Sequence, residues 1–182
     1  MRTPARSERP ATKGFFHFCI LFPPTATAVL LLLTGCASRP LPKYEPPLTP
    51  APLMKLRTTA YTHSESDHRR YGARNALGTP LKHGAINSAA ADWSRFPAGT
   101  VFRIVATGEI FEVDDYGWML AGTNTIDLYK PNRQAMRAWG VRRVTIEILR
   151  WGDLPASYRV LKPREKYRHV KRMVRQIEQR HL

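Results

Sequence analysis

The chain has 182 residues, of which 29 are Lys or Arg and 14 are Asp or Glu, for a formal net charge of +15. This length suits one domain with extensions rather than several domains, and apolar residues at 43% of the chain exclude wholesale disorder. Two cysteines, Cys19 and Cys36, are too few for a disulfide framework or a four-cysteine zinc site.

Residues 1–35 have the features of an export signal. Basic residues near the start are followed by an apolar stretch, residues 15–33, which Pro23-Pro24 interrupts. The tetrapeptide Leu33-Thr34-Gly35-Cys36 resembles the bacterial lipobox, which implies cleavage before Cys36 and lipidation of its thiol. An uncleaved anchor and simple secretion remain alternatives, since the apolar stretch approaches the ~20 residues that a bilayer-spanning helix needs.

Export changes the interpretation of the positive charge. Loss of residues 1–35 removes four of the 29 basic residues and one of the 14 acidic ones, leaving 25 against 13. Such a balance commonly indicates nucleic acid, but an exported lipoprotein meets anionic envelope polymers and lipid head groups instead. We therefore expect an envelope protein that binds no nucleic acid. Ala37, in place of Asp after the cysteine, favours the outer membrane by resemblance to sorting signals, facing the periplasm if the cell has that membrane.

Residues 36–54 are predicted to be a lipid-bearing linker. The run 39–52 contains six prolines and no apolar periodicity, which favours extended polyproline II and a semi-rigid spacer that lifts the domain off its anchor. A docking motif for a proline-reading domain is the less common alternative.

Residues 55–150 have the strand and turn signals of a small domain. Four runs have β-prone composition or alternate polar and apolar residues: 57–62, 100–105, 109–114 and 141–149. Ala106-Thr107-Gly108 predicts a hairpin turn. One short helix is predicted over 133–139, closed by Gly140. Short strands with little helix predict a mainly β fold built as a small barrel.

Residues 151–182 are predicted to be a basic helical tail. The last 24 residues contain nine Lys or Arg and two Glu, and Tyr167, Val170, Val174 and Ile177 recur at helical spacing. An amphipathic basic helix of this kind could lie on the barrel, on a membrane surface or on a polyanion.

Carboxylates are the most informative polar residues. Asp92 precedes a turn, Asp115 ends a strand beside Gly117, and the side chain of Asp127 faces away from its apolar neighbours. An acid at a strand end next to glycine is well placed for catalysis, because a ligand can approach the backbone closely. On pattern alone, an aspartate at such a position is more often a cap or turn residue than a catalyst.

A metal site is conceivable where His63, Asp67 and His68 fall within six residues. Their spacing matches no established ligand pattern, and polar clusters in loops are usually only solvated. We therefore expect neither a metal nor another cofactor.

Several short motifs together resemble one known family. They follow in order as Thr59-Ala60-Tyr61, Ala76-Leu77-Gly78-Thr79-Pro80, Ala91-Asp92, Val113-Asp114-Asp115-Tyr116-Gly117, residues 122–129 and Ala138-Trp139-Gly140-Val141-Arg142. Over residues 56–150 the chain resembles the 3D domain, named for three aspartates. It is similar to the catalytic part of membrane-bound lytic transglycosylase A and to stationary-phase survival proteins of spore-formers.

The resemblance implies a fold, a substrate and a set of site residues. The fold is a six-stranded double-psi β-barrel, and the substrate is the peptidoglycan glycan strand, cut between N-acetylmuramic acid and N-acetylglucosamine with a 1,6-anhydro product. The implied catalytic positions are Asp115, Asp127 and Asp92, with Asp115 in the place of the essential acid. The implied substrate-binding positions are Thr59, Tyr61, Gly78, Gly117 and Trp118.

One carboxyl is enough for this chemistry, because the sugar's own 6-hydroxyl is the attacking group. An intramolecular nucleophile reaches an effective molarity of roughly 10⁵ M or more, so no water needs to be activated as in an ordinary glycosidase. Asp115 would protonate the leaving oxygen and then accept the proton of the 6-hydroxyl. This requires a raised pKa for Asp115, through burial or the nearby charge of Asp127.

Two departures from the family pattern leave a second hypothesis open. Trp118 replaces the family's second glycine, where it could narrow the groove, stack on a sugar ring or belong to the core. Tyr116 replaces the usual threonine, so a hydroxyl contact to substrate is lost or displaced. Either change could leave a non-catalytic envelope lipoprotein that binds glycan through the barrel and anionic polymer through the basic tail.

Overall fold

A computed structural model describes residues 39–66 and 68–181, so the export signal, Cys36 and Asp67 lie outside the described residues. Six strands and three α-helices are found in this part of the chain. The strands are β1 (Leu53–Tyr61), β2 (Asn87–Ala90), β3 (Val101–Ile104), β4 (Ile110–Asp115), β5 (Ile126–Tyr129) and β6 (Arg142–Arg150). The helices are α1 (Arg133–Trp139), α2 (Leu154–Leu161) and α3 (Arg168–His181).

The six strands close into a barrel in the order β1-β5-β2-β4-β3-β6. The pairs β1–β5 and β2–β4 are parallel, and the other four pairs are antiparallel. Exchanging β1, β2 and β3 with β4, β5 and β6 reproduces every pairing, so two halves of the same connectivity interlock, as expected of a double-psi barrel. The predicted fold class, a mainly β six-stranded barrel with a C-terminal helix, is confirmed.

Alternate strand residues fill the barrel interior, as the pleat of a strand requires. Phe102 on β3 and Phe111 on β4 are paired in register and stack at 5.6 Å between ring centroids. On β6, Ile146 is fully buried, while Val144 and Ile148 pack partly buried against the core. This is the face that the alternation in 141–149 predicts.

Helix α1 spans the predicted residues, and its ends explain why. Asn132 accepts a hydrogen bond from the Ala135 N–H at 2.9 Å, which satisfies one of the amides that lack a partner within the helix. Gly140 ends the helix at φ 62°, a conformation that glycine adopts readily.

The C-terminal region forms two helices rather than one and packs on the barrel. A 3₁₀ turn containing Pro163 separates α2 from α3, because proline removes a helical amide donor. Four residues at helical spacing on α3 are buried in the same core as the barrel residues: Val170, Met173, Val174 and Ile177. The sequence left the barrel, a membrane surface and a polyanion as alternatives for this region. In the structure its apolar residues pack on the barrel.

The Pro-rich segment lacks helix and strand up to β1, yet it lies against the barrel. The Glu45 N–H donates to the Gly122 carbonyl at 2.8 Å, and the Asn124 N–H donates to the Glu45 carboxylate at 2.8 Å. Arg95 lies over the Tyr44 ring at 5.2 Å from its centroid. The segment from Pro42 onward is therefore part of the domain, whereas a semi-rigid spacer that lifts the domain off its anchor was predicted.

None of the helices in the described part of the chain has both the length and the apolar character needed to cross a bilayer.

Candidate functional site

Asp115, the last residue of β4, is a buried carboxyl with 7% of its surface exposed. The Tyr61 hydroxyl donates to its Oδ2 at 3.2 Å, and the Tyr116 N–H donates to its Oδ1 at 2.9 Å. Burial and, to a smaller extent, the charge of Asp114 raise the pKa of Asp115, the two hydrogen bonds oppose the shift, and the result is a pKa of about 7 in place of the ordinary 3.8. A carboxyl with this pKa holds and releases a proton near neutral pH.

A bulge in β4 places a second carboxyl beside Asp115. The β2–β4 register pairs Ala89 with Val113 and Ala90 with Asp115, so Asp114 has no partner in the ladder. Asp114 is 1% exposed, which raises its pKa, and it accepts a 2.7 Å hydrogen bond from the Ser88 hydroxyl. Lys82 Nζ lies 3.5 Å from the same oxygen.

Sequence reasoning did not single out Asp114. The signal that could have found it is the pair of adjacent acids at the end of an apolar strand. Strict strand alternation would send one of the two side chains away from the site, and only the bulge brings them together.

The parallel pairing of β1 with β5 brings Asp127 to the same region. Thr59 lies opposite Asp127 in the register, and its hydroxyl donates to Asp127 Oδ1 at 2.6 Å. The phenol pKa of Tyr61 is raised well above its ordinary value by burial and by the charges of Asp115, Asp114 and Asp127. Four residues predicted for the site are thereby brought together: Thr59, Tyr61, Asp115 and Asp127.

Asp92 has a different environment. It is fully buried and accepts hydrogen bonds from the Ser94 N–H at 2.8 Å, the Ser94 hydroxyl at 2.6 Å and the Gly122 N–H at 2.5 Å. Burial raises its pKa, while these bonds and Arg95 oppose that shift. Asp92 therefore fixes the loop between Asp115 and Asp127 and is not among the acids that act on Tyr61.

Gly122 makes this contact possible. Its φ of 83° disfavours any side chain, and a Cβ would lie 2.9 Å from Arg172 Nη1. The backbone can then approach Asp92 on one side and α3 on the other.

Gly78 and its neighbours form a tight turn next to the acid. The Asn75 side chain accepts from the N–H groups of Leu77 and Thr79, each at 3.1 Å, and Gly78 has φ 83°. A backbone hydrogen bond from Ala76 also acts on the Asp115 carboxyl and lowers its pKa. The turn that contains Gly78 therefore borders Asp115.

The residues after Asp115 point toward the C-terminal helices. The Tyr116 hydroxyl accepts a 3.2 Å hydrogen bond from Arg164, and its ring meets Trp93 edge to face at 5.0 Å. Gly117 needs no special backbone conformation, and a Cβ there would lie 3.3 Å from the Leu120 side chain. Trp118 is half-buried in the following turn. Tyr116 therefore packs within the fold, whereas the resemblance noted in the sequence led to the expectation of a substrate contact at this position.

Aromatic rings border Tyr61. The Tyr129 hydroxyl lies 2.8 Å from His63 Nδ1, and the Tyr61 ring lies 5.5 Å from that of His68. Tyr71, half exposed, lies 6.0 Å from His68. Rings of this kind suit contact with the apolar faces of sugars, and sequence reasoning considered these histidines only for a metal. Within residues 39–66 and 68–181, no three His, Cys, Asp or Glu side chains form a group that could hold a metal ion.

Two surface hollows lie elsewhere, along the Pro-rich segment. Their volumes are about 230 and 170 Å³, and Trp151 lines both. Neither is lined by Asp115 or Asp127.

The protein is a closed six-stranded barrel, and its candidate site contains a buried carboxyl with a near-neutral pKa. No protein-family model matches this chain, and no curated protein matches it. The chemistry of the site is therefore the basis for a function.

Proposed function

We propose that this protein is a lipid-anchored enzyme of the cell envelope that cleaves peptidoglycan glycan strands as a lytic transglycosylase, with Asp115 as general acid and base. The observation that supports this proposal most is the pKa of about 7 at Asp115, in a site shared with Tyr61 and Asp127. The ordered motifs that resemble the 3D domain supply the substrate class.

The proposed reaction needs one carboxyl and no water. Protonated Asp115 donates its proton to the glycosidic oxygen as the bond from the muramic acid C1 to that oxygen breaks. The 6-hydroxyl oxygen of the same muramic acid then bonds to C1, and the Asp115 carboxylate takes the hydroxyl proton. The products are a 1,6-anhydro end and a free 4-hydroxyl on N-acetylglucosamine, and Asp115 is again protonated.

The neighbours of Asp115 have supporting roles in this mechanism. The Tyr61 hydroxyl holds Oδ2, which fixes the direction of the carboxyl. Asp127, oriented by Thr59, supplies negative charge that favours the positive charge developing on the sugar in the transition state. Asp92 acts at a distance by fixing the loop that joins the two acids.

A second candidate is an envelope lipoprotein that binds glycan through the same barrel and does not cut it. Tyr116 favours this alternative, because its hydroxyl is engaged by Arg164 where the family places a smaller threonine. Trp118 favours it as well, because a half-buried ring occupies a position that is bare in the family.

Digestion of purified sacculi by the lipidated protein tests the proposal. Mass spectrometry of the released muropeptides should find 1,6-anhydro-muramyl ends, which are lighter than hydrolysed ends by one water. Reducing ends instead would replace transglycosylation with hydrolysis. Co-sedimentation with sacculi without release would favour the binding alternative.

A further inference from the structure

One face of α3 is a continuous basic stripe, which we define as Arg168, Lys171, Arg172 and Arg175. These residues are spaced i, i+3, i+4 and i+7, so they share one side of the helix. Arg168, Lys171 and Arg175 are exposed and Arg172 is partly buried. No acidic residue lies within the stripe; Glu178, the one acid of α3, follows Arg175 by three residues, where Lys162 and the Tyr158 hydroxyl hold its carboxylate and the charge of Arg175 also acts on it.

The Pro-rich segment joins the fold at this stripe. Arg172 Nη1 donates to the Pro42 carbonyl at 2.7 Å and to the Ala121 carbonyl at 3.1 Å. Three residues further on, Glu45 is held by Arg95, Gly122 and Asn124. The chain is thus fixed to the domain from Pro42 onward.

This attachment limits how far the domain can lie from a lipid on Cys36. Cys36 precedes Pro42 by six residues, and six residues span at most about 21 Å when fully extended. A free spacer extending to residue 52 would have allowed more than twice that reach. The contact of Arg172 with Pro42 therefore lies within about 21 Å of the lipid-bearing residue, which is about two and a half Debye lengths at physiological salt, where a Debye length is about 8 Å.

We propose that the basic stripe of α3 lies on an anionic phospholipid bilayer, with the docked Pro-rich segment holding it there. The proposal depends on lipidation of Cys36, which is part of the proposed function. Clustered Lys and Arg beside a membrane anchor are attracted to the negative potential of anionic lipids, and a lipid chain combined with a basic patch anchors a protein more stably than either alone.

The mature lipoprotein offers a direct test because it contains no other thiol. Cys19 leaves with the signal and Cys36 bears the lipid, so a Lys171→Cys variant can be labelled at one position with a fluorophore. Val105→Cys is the matched control. Its side chain is 54% exposed on the turn between β3 and β4, at the end of β4 away from Asp115.

The labelled lipoproteins are reconstituted in phosphatidylcholine vesicles with or without phosphatidylglycerol, together with lipids that have a quencher on the head group. With phosphatidylglycerol present, we expect quenching at 171 to exceed that at 105 by about twofold or more, and the excess to fall at high salt. Adding Arg168→Glu and Arg175→Glu to the labelled Lys171→Cys protein should remove the excess. Equal quenching at both positions, or no dependence on anionic lipid, would overturn the proposal.

Two further readings separate this proposal from the proposed function. The mass of the purified lipoprotein reports lipidation, and a chain without lipid on Cys36 would also overturn the membrane proposal. Sacculus digestion by the same preparation reports glycan cleavage alone. If quenching at 171 requires added sacculi rather than anionic lipid, the stripe binds an envelope polymer. If it requires a higher protein density, the stripe binds a second copy of the protein. Either result would contradict the proposal.

Discussion

The hydroxyl of Tyr61 donates a hydrogen bond to Asp115 across 54 positions of the chain, at 3.2 Å. Tyr61 ends β1 and Asp115 ends β4, and these strands are separated in the barrel by β5 and β2. Closure of the barrel therefore brings the phenol and the carboxyl together. The contact defines the centre of the candidate site, because Asp127 and Asp114 also act on Tyr61.

The raised pKa of Asp115 predicts the pH dependence of cleavage. The proposed reaction begins from the protonated acid, so activity should fall as pH rises through about 7, by about tenfold for each further unit. The rate of muropeptide release, measured from pH 5 to 9, shows this decline as the alkaline limb of the pH profile. A rate that stays constant up to pH 9 would contradict protonated Asp115 as the starting form.

The hydrogen bond from Tyr61 lowers the pKa of Asp115 and orients it. We expect Tyr61→Phe to move the alkaline limb of the profile to higher pH and to reduce kcat by about tenfold. Tyr167→Phe, at an exposed position on the C-terminal region, is the control and should leave both unchanged. A Tyr61→Phe enzyme with an unaltered profile would remove Tyr61 from the account.

Much of this arrangement follows from the sequence, but its contacts do not. The β-prone or alternating runs predict β1, β3, β4 and β6 because their apolar residues point to one core. The residues of β2, Asn-Ser-Ala-Ala, have little strand propensity and become a strand only through pairing with β4 and β5. The bulge at Asp114 likewise depends on that pairing.

The sequence also does not show how the environments of the three aspartates differ. As a pattern Asp92, Asp115 and Asp127 are alike; the resemblance puts Asp115 in the place of the essential acid, and the burial and partners that distinguish the three come only from the structure. Asp92 has its oxygens occupied by Ser94 and Gly122, whereas Asp115 shares its surroundings with Tyr61. The Pro-rich composition suggested a spacer, because composition does not reveal that Arg95 and Asn124 would bind Glu45.

Asp92 should behave as a positioning residue. In Asp92→Asn one acceptor oxygen becomes an amide donor, so either Gly122 or Ser94 loses its partner and the variant should lose about 1–3 kcal/mol of unfolding free energy. Urea denaturation measures this loss. We expect kcat to fall because the loop between Asp115 and Asp127 is disturbed. The pH at which activity declines on the alkaline side, which Asp115 sets, should not change. A displaced limb with normal stability would assign Asp92 to the chemistry instead.

The buried carboxyl of Asp115 should lower the free energy of unfolding at neutral pH. Its folded pKa of about 7 lies above its ordinary 3.8, so the folded state binds the extra proton and stability falls as pH rises from about 4 through 7. Three pKa units correspond to at most about 4 kcal/mol. Asp115→Asn should therefore gain stability relative to the wild type at pH 8 and lose that advantage at pH 4. Thermal melts at both pH values compare the two proteins, and an equal difference at both would contradict a buried titrating carboxyl.

The central claim is that Asp115 transfers the proton in glycan cleavage. The most direct measurement is the rate at which purified sacculi release 1,6-anhydro-muropeptides with the wild type, with Asp115→Asn and with Glu147→Gln, a control at a surface ion pair with Arg103. We expect Asp115→Asn to lose activity by about 10²-fold or more, while still binding sacculi, and Glu147→Gln to match the wild type. Full activity in Asp115→Asn would contradict the account.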